Sequence, residues 1–237
     1  MTAGTSHTPV AFLIFNRPDV TARVFEAIRA ARPPVLLVVA DGPRPDRPGE
    51  AERCDAARRV VHDVDWPCRV LTNFAERNMG CRRRIASGLT WVFEQVESAI
   101  IVEDDCLPDP TFFPYCHDLL ERYRDDRRVF MISGDNFQQG RPARTDDAYY
   151  FSRYAHIWGW AAWRRSWESY DVDLGLWPQV RDGGWLRDAL TDDGAVAYWT
   201  RVFDRVHAGQ VDTWDYQLQF AQWLNHGLTA VPRTNLV

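Results

Sequence analysis

Short apolar segments alternate with amphipathic helical segments through the first half of the 237-residue chain. The segments that predict strands are Val10 to Phe15, Val35 to Ala40, Arg69 to Thr72 and Ala99 to Val102. Helical patterns follow the first three of them, beginning near Pro18, Glu50 and Ile85. This alternation predicts an α/β fold with a mostly parallel sheet and helices on both faces. Ligands of such folds bind at the carboxyl ends of the strands.

The pattern changes after about Asp109. The predicted elements there are a helix from Pro110 to Tyr123, strands at Val129 to Ser133 and Tyr149 to Ser152, a polar loop from Gln138 to Asp147 and a last helix from about Thr213 to Asn225. The rest of this half is rich in tryptophan and helical in period. Because no linker or repeat interrupts the chain, we expect a single domain over residues 1–237.

Composition excludes several classes of protein. The chain is 46% apolar, enough to bury a sizeable core. Its apolar runs are too short to span a bilayer. We expect no signal peptide, because no long apolar stretch follows a basic segment at the start. A net charge of −5 argues against nucleic acid as a partner. The five cysteines are odd in number and lack CxxC spacing, which favours reduced thiols in a cytoplasm.

The fourth predicted strand runs directly into three acids, Glu103, Asp104 and Asp105. Unpaired carboxylates at the edge of a buried sheet would be costly because they are partly desolvated. A divalent cation would remove that cost, and oxygen ligands suit Mg²⁺ or Mn²⁺. The alternative is a solvated turn before Pro108. The position of the acids at a strand end favours a metal site, but it does not exclude the solvated turn.

Two other strand ends point to the same crevice. Phe15, Asn16 and Arg17 follow the first strand, and Asp41 ends the second. An aromatic ring can stack on a nucleobase, while an arginine and a carboxylate can contact its edge or the ribose. Asn16 and Asp41 are also ordinary capping and turn residues, so both interpretations stay open.

The segment from Asn78 to Arg84 opens the helix after the third strand. Gly80 at a helix N-terminus, with Arg82 in the first turn, is typical of an anion site. Three consecutive arginines oppose the helix dipole there. We therefore expect them to serve a ligand or a carboxylate partner, with a plain cationic surface as the alternative.

Asp212 and Asp215 lie at the start of the last helix, three residues apart. This is capping-box spacing, so a structural role accounts for both residues. In the functional interpretation, Asp215 is a general base that deprotonates an acceptor hydroxyl.

Trp158, Gly159 and Trp160 follow the aromatic strand. A glycine between two indole rings leaves room for a ligand to approach the backbone. Dense core packing is the alternative interpretation.

These motifs occur in a fixed order with the segments DPTFFPYCHDLLERYRDD, MISGDNF, YYFSRYAHIWGWAAWRRSW and DTWDYQ. Together they resemble bacterial family-2-like nucleotide-diphospho-sugar transferases, which are similar in turn to animal N-acetylglucosaminyltransferase I, a GT-A enzyme. The likeness covers nearly the whole chain. It implies a Rossmann-like GT-A fold with a Trp-rich helical C-terminal part, a nucleotide-binding half at about 8–108 and an acceptor-side half at about 109–237.

The resemblance also implies roles for individual residues. Asp105 would be the direct ligand of Mn²⁺ or Mg²⁺, and Glu103 and Asp104 would face the donor sugar and ribose. The residues implied around a UDP-linked donor and its acceptor are Arg17 and Asp41 at the uridine, Trp158, Gly159 and Trp160 beside both substrates, and Asp215 as the base. Phe15, Asn16, Asn78 and Arg82 complete the nucleotide-sugar-binding candidates.

The sequence therefore predicts a metal-dependent, inverting glycosyltransferase acting on a glycan, glycolipid or small-molecule hydroxyl. A glycoside hydrolase with two carboxylates is one alternative, and a non-catalytic carbohydrate- or nucleotide-binding protein is another. A nucleotidyltransferase is disfavoured because no Gly-rich phosphate loop follows the first strand. The related bacterial sequences continue past Asn235-Leu236-Val237, so we expect a longer natural chain.

Overall fold

The computed structural model describes residues 8–138 and 146–237, and within them the chain forms one eight-stranded sheet. The strands are β1 (Val10–Ile14), β2 (Val35–Ala40), β3 (Arg69–Phe74), β4 (Ser98–Glu103), β5 (Val129–Ser133), β6 (Tyr149–Ser152), β7 (Trp160–Trp163) and β8 (Leu228–Pro232). The helices are α1 (Pro18–Ala31), α2 (Glu50–Val60), α3 (Cys81–Gln95), α4 (Phe112–Arg122), α5 (Arg164–Trp167), α6 (Trp177–Asp182), α7 (Leu186–Ala189), α8 (Asp193–His207) and α9 (Asp215–Leu224), with a 3-10 turn at Val61–Asp63.

The strand order is β3-β2-β1-β4-β7-β5-β8-β6. β7 and β6 run antiparallel to their neighbours, and the other strands all point in one direction. The predicted mostly parallel sheet is confirmed. From β1 the chain builds β2 and β3 on one side and then returns to form β4 on the other side. The carboxyl ends of β1 and β4 therefore flank a topological switch point, which is where open α/β sheets bind ligands.

Alternate side chains of β1 explain the helices on both faces of the sheet. Val10, Phe12 and Ile14 pack in a cluster with residues of α1 and α4. Ala11 and Leu13 point the other way and pack in a cluster with residues of α3 and α9. Because the strand is buried on both faces, it reads as a continuous apolar run with no polar alternation.

A third cluster lies among α6, α7, α8 and α9, and it contains much of the aromatic C-terminal part. Its core includes Trp177, Phe203, Phe220 and Trp223. Phe203 contacts the other three rings at centroid distances of 5.1 to 6.1 Å. The predicted Trp-rich helical C-terminal part is confirmed. None of the described helices is long and apolar enough to cross a membrane.

Two strands were not predicted from the sequence. β7 is a four-residue apolar segment inside the Trp-rich region, and β8 follows the last helix directly. Both are too short for periodicity to separate a strand from a turn of helix. Of the predicted loop from Gln138 to Asp147, residues 139–145 lie outside the described residues.

Candidate functional site

The loops after β1 and β4 are joined at the switch point by a buried carboxylate. Asp104 is 2% exposed and forms an ion pair with Arg17. It also accepts hydrogen bonds from the Phe15 backbone N–H at 3.1 Å and the Thr21 hydroxyl at 3.3 Å. Arg17 reaches Asp105 as well, with Nη1 3.0 Å from Oδ2. The acidic tip of β4 is therefore folded back against the end of β1, and the simple solvated turn is excluded for Asp104.

Two cavities meet at Glu103. The cavity of about 340 Å³ beside β1 and β2, here the β1–β2 cavity, is lined by Phe15, Arg17, Asp41, Asn78, Arg84 and Glu103 among others. The cavity of about 470 Å³ between β4 and α9, here the β4–α9 cavity, is lined by Glu103, Asp105, Cys106, Trp158, Trp214 and Asp215 among others. The structure thus brings most of the predicted residues to one crevice. Some of them line the β1–β2 cavity and others line the β4–α9 cavity.

Asp41 and Asn78 form one unit in the wall of the β1–β2 cavity. The Asp41 carboxylate accepts hydrogen bonds from the backbone N–H groups of Gly42 at 2.8 Å and Met79 at 2.9 Å. The Asn78 amide donates to its other oxygen at 3.0 Å. Burial raises the pKa of Asp41, and the hydrogen bonds from the Met79 and Gly42 backbone oppose this shift. The turn role of Asp41 is therefore real, and it fixes the shape of the cavity that Asp41 lines.

Phe15 faces the same cavity, whereas Asn16 does not line it. The Arg44 guanidinium lies 5.6 Å from the centroid of the Phe15 ring, within cation–π range. The Asn16 amide donates to the buried Glu50 at 2.9 Å. Hydrogen bonding from Arg44 lowers the pKa of Glu50 to about 2. Sequence reasoning missed Arg44 and Glu50, since they lie in and just after a turn with no periodicity.

Arg84 is a second lining residue that the sequence did not single out. Its guanidinium is buried, and it donates to the Ala40 carbonyl at 3.1 Å and to the Asn73 side chain at 2.8 Å. It therefore ties α3 to the carboxyl ends of β2 and β3. Of the three consecutive arginines, this is the one that reaches the crevice.

The N-terminus of α3 is occupied by a carboxylate from the other end of the chain. Asp212 accepts hydrogen bonds from the backbone N–H groups of Cys81 at 3.1 Å and Arg82 at 3.0 Å. Gly80 has φ of 78°, and a Cβ at this position would lie 2.8 Å from Asp212 Oδ2. The predicted anion site therefore holds a carboxylate partner, which is one of the two ligands expected there.

The contacts around the N-terminus of α3 correct two interpretations of the sequence. The Arg82 guanidinium bonds to the Val172 carbonyl at 3.0 Å and to Asp173 at 2.9 Å, so the structure does not bring it to the crevice. The capping-box interpretation of Asp212 and Asp215 is wrong, because Asp212 caps α3. α9 begins at Asp215 without a side-chain cap from any described residue. Local spacing could not show that the helix N-terminus nearest to Asp212 in space is a different one.

The β4–α9 cavity collects negative charge. Glu103, Asp105 and Asp215 all line it, and the Asp215 carboxylate accepts a hydrogen bond from Thr213. The Glu103 carboxylate makes no hydrogen bond or ion pair with any described residue. Burial, followed by repulsion from Asp105, raises the pKa of Glu103 to about 7.

Replacing Glu103 with glutamine should stabilise the metal-free protein increasingly as the pH rises. A carboxyl pKa near 7, against an ordinary 4.5, means that the folded state holds the proton more tightly than the unfolded state. The wild type therefore loses stability as the pH rises from about 4.5 to 7. Glu103→Gln does not titrate, so its free energy of unfolding at pH 8 should exceed that of the wild type by about 3 kcal/mol. Urea unfolding in EDTA at pH 5 to 8 measures it. Glu94→Gln, at an exposed position of α3, is the control, and a pH-independent difference for Glu103→Gln would contradict the prediction.

The predicted metal ligands can be compared with the side chains that line the cavity. Within residues 8–138 and 146–237, no group of three or more His, Cys, Asp or Glu side chains is arranged to hold an ion. Glu103 lines both cavities and Asp105 lines the β4–α9 cavity, whereas Asp104 is held by Arg17. Mg²⁺ is commonly bound through one or two carboxylates together with substrate phosphates. The acids therefore fit a cation whose remaining ligands arrive with a phosphate group.

Of Trp158, Gly159 and Trp160, only Trp158 opens into the cavity, with 56% of its surface exposed. Gly159 has φ of 65°, and the space of a Cβ there is filled by the Val237 side chain, 2.6 Å away. Trp160 is 1% exposed, and its ring stacks on Trp214 at 5.8 Å. For Gly159 and Trp160 the core-packing interpretation is therefore correct, because β7 places Trp160 inside the sheet.

Asp135 is a further site residue that sequence reasoning did not assign. It is 1% exposed, and its carboxylate accepts hydrogen bonds from the Trp158 backbone N–H at 3.2 Å and the Ser133 hydroxyl at 2.8 Å. His156 Nδ1 lies 3.1 Å from Asp135 Oδ1. The available signal was an acid two residues after the end of a buried strand, a pattern close to the one that marked Glu103 to Asp105.

No family model and no curated protein matches this chain. Among solved structures, UDP-glucose pyrophosphorylase complexed with UDP-glucose is similar over 96% of this chain and 91% of that chain, with 8% identity and a TM-score of 0.44. The 4-diphosphocytidyl-2C-methyl-D-erythritol synthase of Anaerococcus prevotii is similar over 95% of this chain and 88% of that chain, with 10% identity and a TM-score of 0.45. Both likenesses are too distant to say what this chain binds.

Proposed function

We propose that this chain is a metal-dependent glycosyltransferase that moves a sugar from a nucleotide diphosphate sugar to an acceptor hydroxyl. The observation that carries the proposal is the pair of cavities that meet at Glu103, at the switch point between β1 and β4. A donor of this kind has a nucleoside at one end and a sugar at the other, joined by a diphosphate. The β1–β2 cavity matches the nucleoside and the β4–α9 cavity matches the sugar. Glu103 and Asp105, here the acidic junction, match the diphosphate between them.

The β1–β2 cavity suits the nucleoside, for which we favour uridine. Phe15 offers an aromatic ring for a base, while the unit of Asp41 and Asn78 and the guanidinium of Arg17 offer polar contacts for a base edge or ribose. The hydrogen bonds within this wall keep its polar groups in place before a ligand arrives. Preorganisation of this kind reduces the entropy cost of binding.

The acidic junction suits a diphosphate only together with a cation. Glu103 and Asp105 would repel phosphate oxygens, and Arg17, the cation that lies against these acids, is already paired with Asp104 and Asp105. Asp105 and Glu103 would hold Mn²⁺ or Mg²⁺. When bound, such an ion neutralises charge that develops on a departing nucleotide diphosphate.

Asp215 is the base that we propose for an inverting single displacement. It lines the β4–α9 cavity together with Glu103 and Asp105. The acceptor oxygen attacks the anomeric carbon, the bond from that carbon to the diphosphate oxygen breaks, and the acceptor proton passes to Asp215. Asp215 is the first residue of α9, and its carboxylate accepts a hydrogen bond from the Thr213 hydroxyl.

Thermal-shift measurements with UDP, UDP-sugars, MnCl₂ and EDTA test the proposed function. We expect UDP with Mn²⁺ to raise the Tm, and UDP in EDTA to have little effect. A ligand present at 100 times its Kd stabilises the folded state by about 2.7 kcal/mol, and a thermal-shift measurement resolves a change of this size. No shift with any nucleotide diphosphate would refute the proposal.

Activity assays separate the alternative functions. A non-catalytic binding protein would show the thermal shift but would not turn over the donor in the presence of Mn²⁺. A glycoside hydrolase would need neither nucleotide nor metal, so activity that persists in EDTA would favour it.

Asp212→Ala should lower both stability and transfer. Loss of a helix cap costs about 1 kcal/mol, and loss of the contact with α3 frees the segment that carries Asp215, which should reduce kcat by about tenfold or more. Asp192→Ala is a matched control, because Asp192 caps α8 through the Ala195 N–H at 2.7 Å. Urea unfolding and kcat should separate the two variants. An equal kcat in both would show that Asp212 acts only on stability.

A further inference from the structure

Three aromatic side chains form a continuous patch that reaches the β4–α9 cavity through Trp158. The Phe137 ring stacks on His156 with centroids 5.1 Å apart, and it meets Trp158 nearly at a right angle at 4.9 Å. Phe137 is 52% exposed and Trp158 is 56% exposed. Adjacent large rings that remain half exposed are typical of a surface that a ligand covers. We call Phe137, His156 and Trp158 the aromatic platform.

The platform is held from beneath by buried polar contacts. Asp135 accepts hydrogen bonds from the Trp158 backbone N–H at 3.2 Å and from the Ser133 hydroxyl at 2.8 Å. Asn136, between Asp135 and Phe137, donates its backbone N–H to Asn235 at 2.8 Å and its amide to the Pro232 carbonyl at 2.7 Å. The backbone on both sides of the platform is therefore anchored. A fixed aromatic surface loses little conformational entropy when it binds a ligand.

The surroundings of the platform select the chemistry of its ligand. Trp158 lines the same cavity as Glu103, Asp105 and Asp215, so a ligand with a hydroxyl near Asp215 can extend onto the aromatic rings. The acids disfavour an anionic ligand. A neutral pyranose has C–H groups on its faces that can cover an aromatic ring, and hydroxyls at its edge that stay hydrated or bond to polar groups.

We propose that the aromatic platform binds the acceptor and that the acceptor is a neutral saccharide, with a sugar ring stacked on Phe137 and Trp158. This inference rests on the proposed transfer reaction, since it takes Asp215 as the base that faces the acceptor. It narrows the acceptor from any hydroxyl compound to a glycan.

A glycan array probed with the protein in UDP and MnCl₂ tests the inference. The wild type should bind a set of neutral glycans, and titration calorimetry with the strongest of them should show about tenfold weaker binding for Phe137→Ala. Phe137→Tyr keeps the ring and should bind like the wild type. Trp185→Ala is the matched control, because Trp185 is 57% exposed and lies beside a different cavity, near α7.

Thermal shift with UDP and Mn²⁺ on the same samples distinguishes the two levels of failure. Phe137→Ala should keep the wild-type shift, which also shows that it is folded. A shift without any bound glycan, or glycan binding that Phe137→Ala leaves unchanged, overturns the aromatic platform and leaves the transferase proposal standing. Absence of the shift in the wild type overturns both.

Discussion

Asp215→Asn is expected to lower the rate of sugar transfer by about 10² to 10⁴-fold, the usual contribution of a general base. The amide cannot accept the acceptor proton, but it keeps the size of the side chain and an oxygen that can accept the hydrogen bond from Thr213. The β1–β2 cavity does not include Asp215. Nucleotide binding should therefore remain nearly unchanged. Initial rates of UDP release, together with UDP affinity by calorimetry, measure the two effects.

Asp118→Asn is a suitable control for this change. Asp118 is an exposed residue of α4, and neither cavity includes it among its lining residues. It should transfer sugar at the wild-type rate. If Asp215→Asn turns over at a rate close to that of Asp118→Asn, Asp215 is not the base. Equal losses of transfer and UDP affinity would instead point to a structural role.

Asp105→Asn is expected to remove the dependence of UDP binding on Mn²⁺ and to lower transfer by at least about 100-fold. The variant exchanges a carboxylate of the acidic junction for a weaker, neutral ligand. Asp105 is half exposed, and its side chain is not part of the core. The fold should therefore persist, and the change should appear in metal affinity. Thermal shifts with UDP across a range of MnCl₂ concentrations measure it.

Arg17→Gln separates metal binding from loss of the ion pair. It breaks the same contact with Asp105 but keeps both carboxylates of the junction. Mn²⁺ affinity should be retained in this variant, because the competing cation has been removed. Weakening of Mn²⁺ binding as severe as in Asp105→Asn would mean that the ion pair, and not the carboxylate, decides the effect.

The first half of the fold could be predicted because its signals are local. β2 has the predicted bounds, β1 is one residue shorter at its end, β4 is one residue longer at each end, and β3 is two residues longer at its end. A strand buried on both faces must be apolar throughout, and it must end where polar residues begin. The same logic located Glu103 and Asp41, since strand ends in a parallel sheet share one edge.

Contacts between distant segments could not be predicted in this way. Asp212 has an ordinary capping-box spacing, yet its carboxylate lies on Cys81, 131 residues earlier in the chain. Gly159 suggested space for a ligand, but the Val237 side chain occupies that space. In both cases the local pattern indicated the type of interaction, and the partner depended on how the sheet was completed.

The sequence by itself determined that the chain forms an α/β sheet with acids, an arginine and an aromatic ring at the carboxyl edge of its strands. The reason is that local runs of apolar residues indicate which strands are buried and where they end. Only the tertiary structure decided that β7 carries Trp160 into the core while leaving Trp158 at the cavity, and that Asp135 supports the aromatic platform. The physical reason is that β7 pairs between β4 and β5, and β8 pairs between β5 and β6. Which side chains face the crevice therefore depends on pairing across the whole sheet.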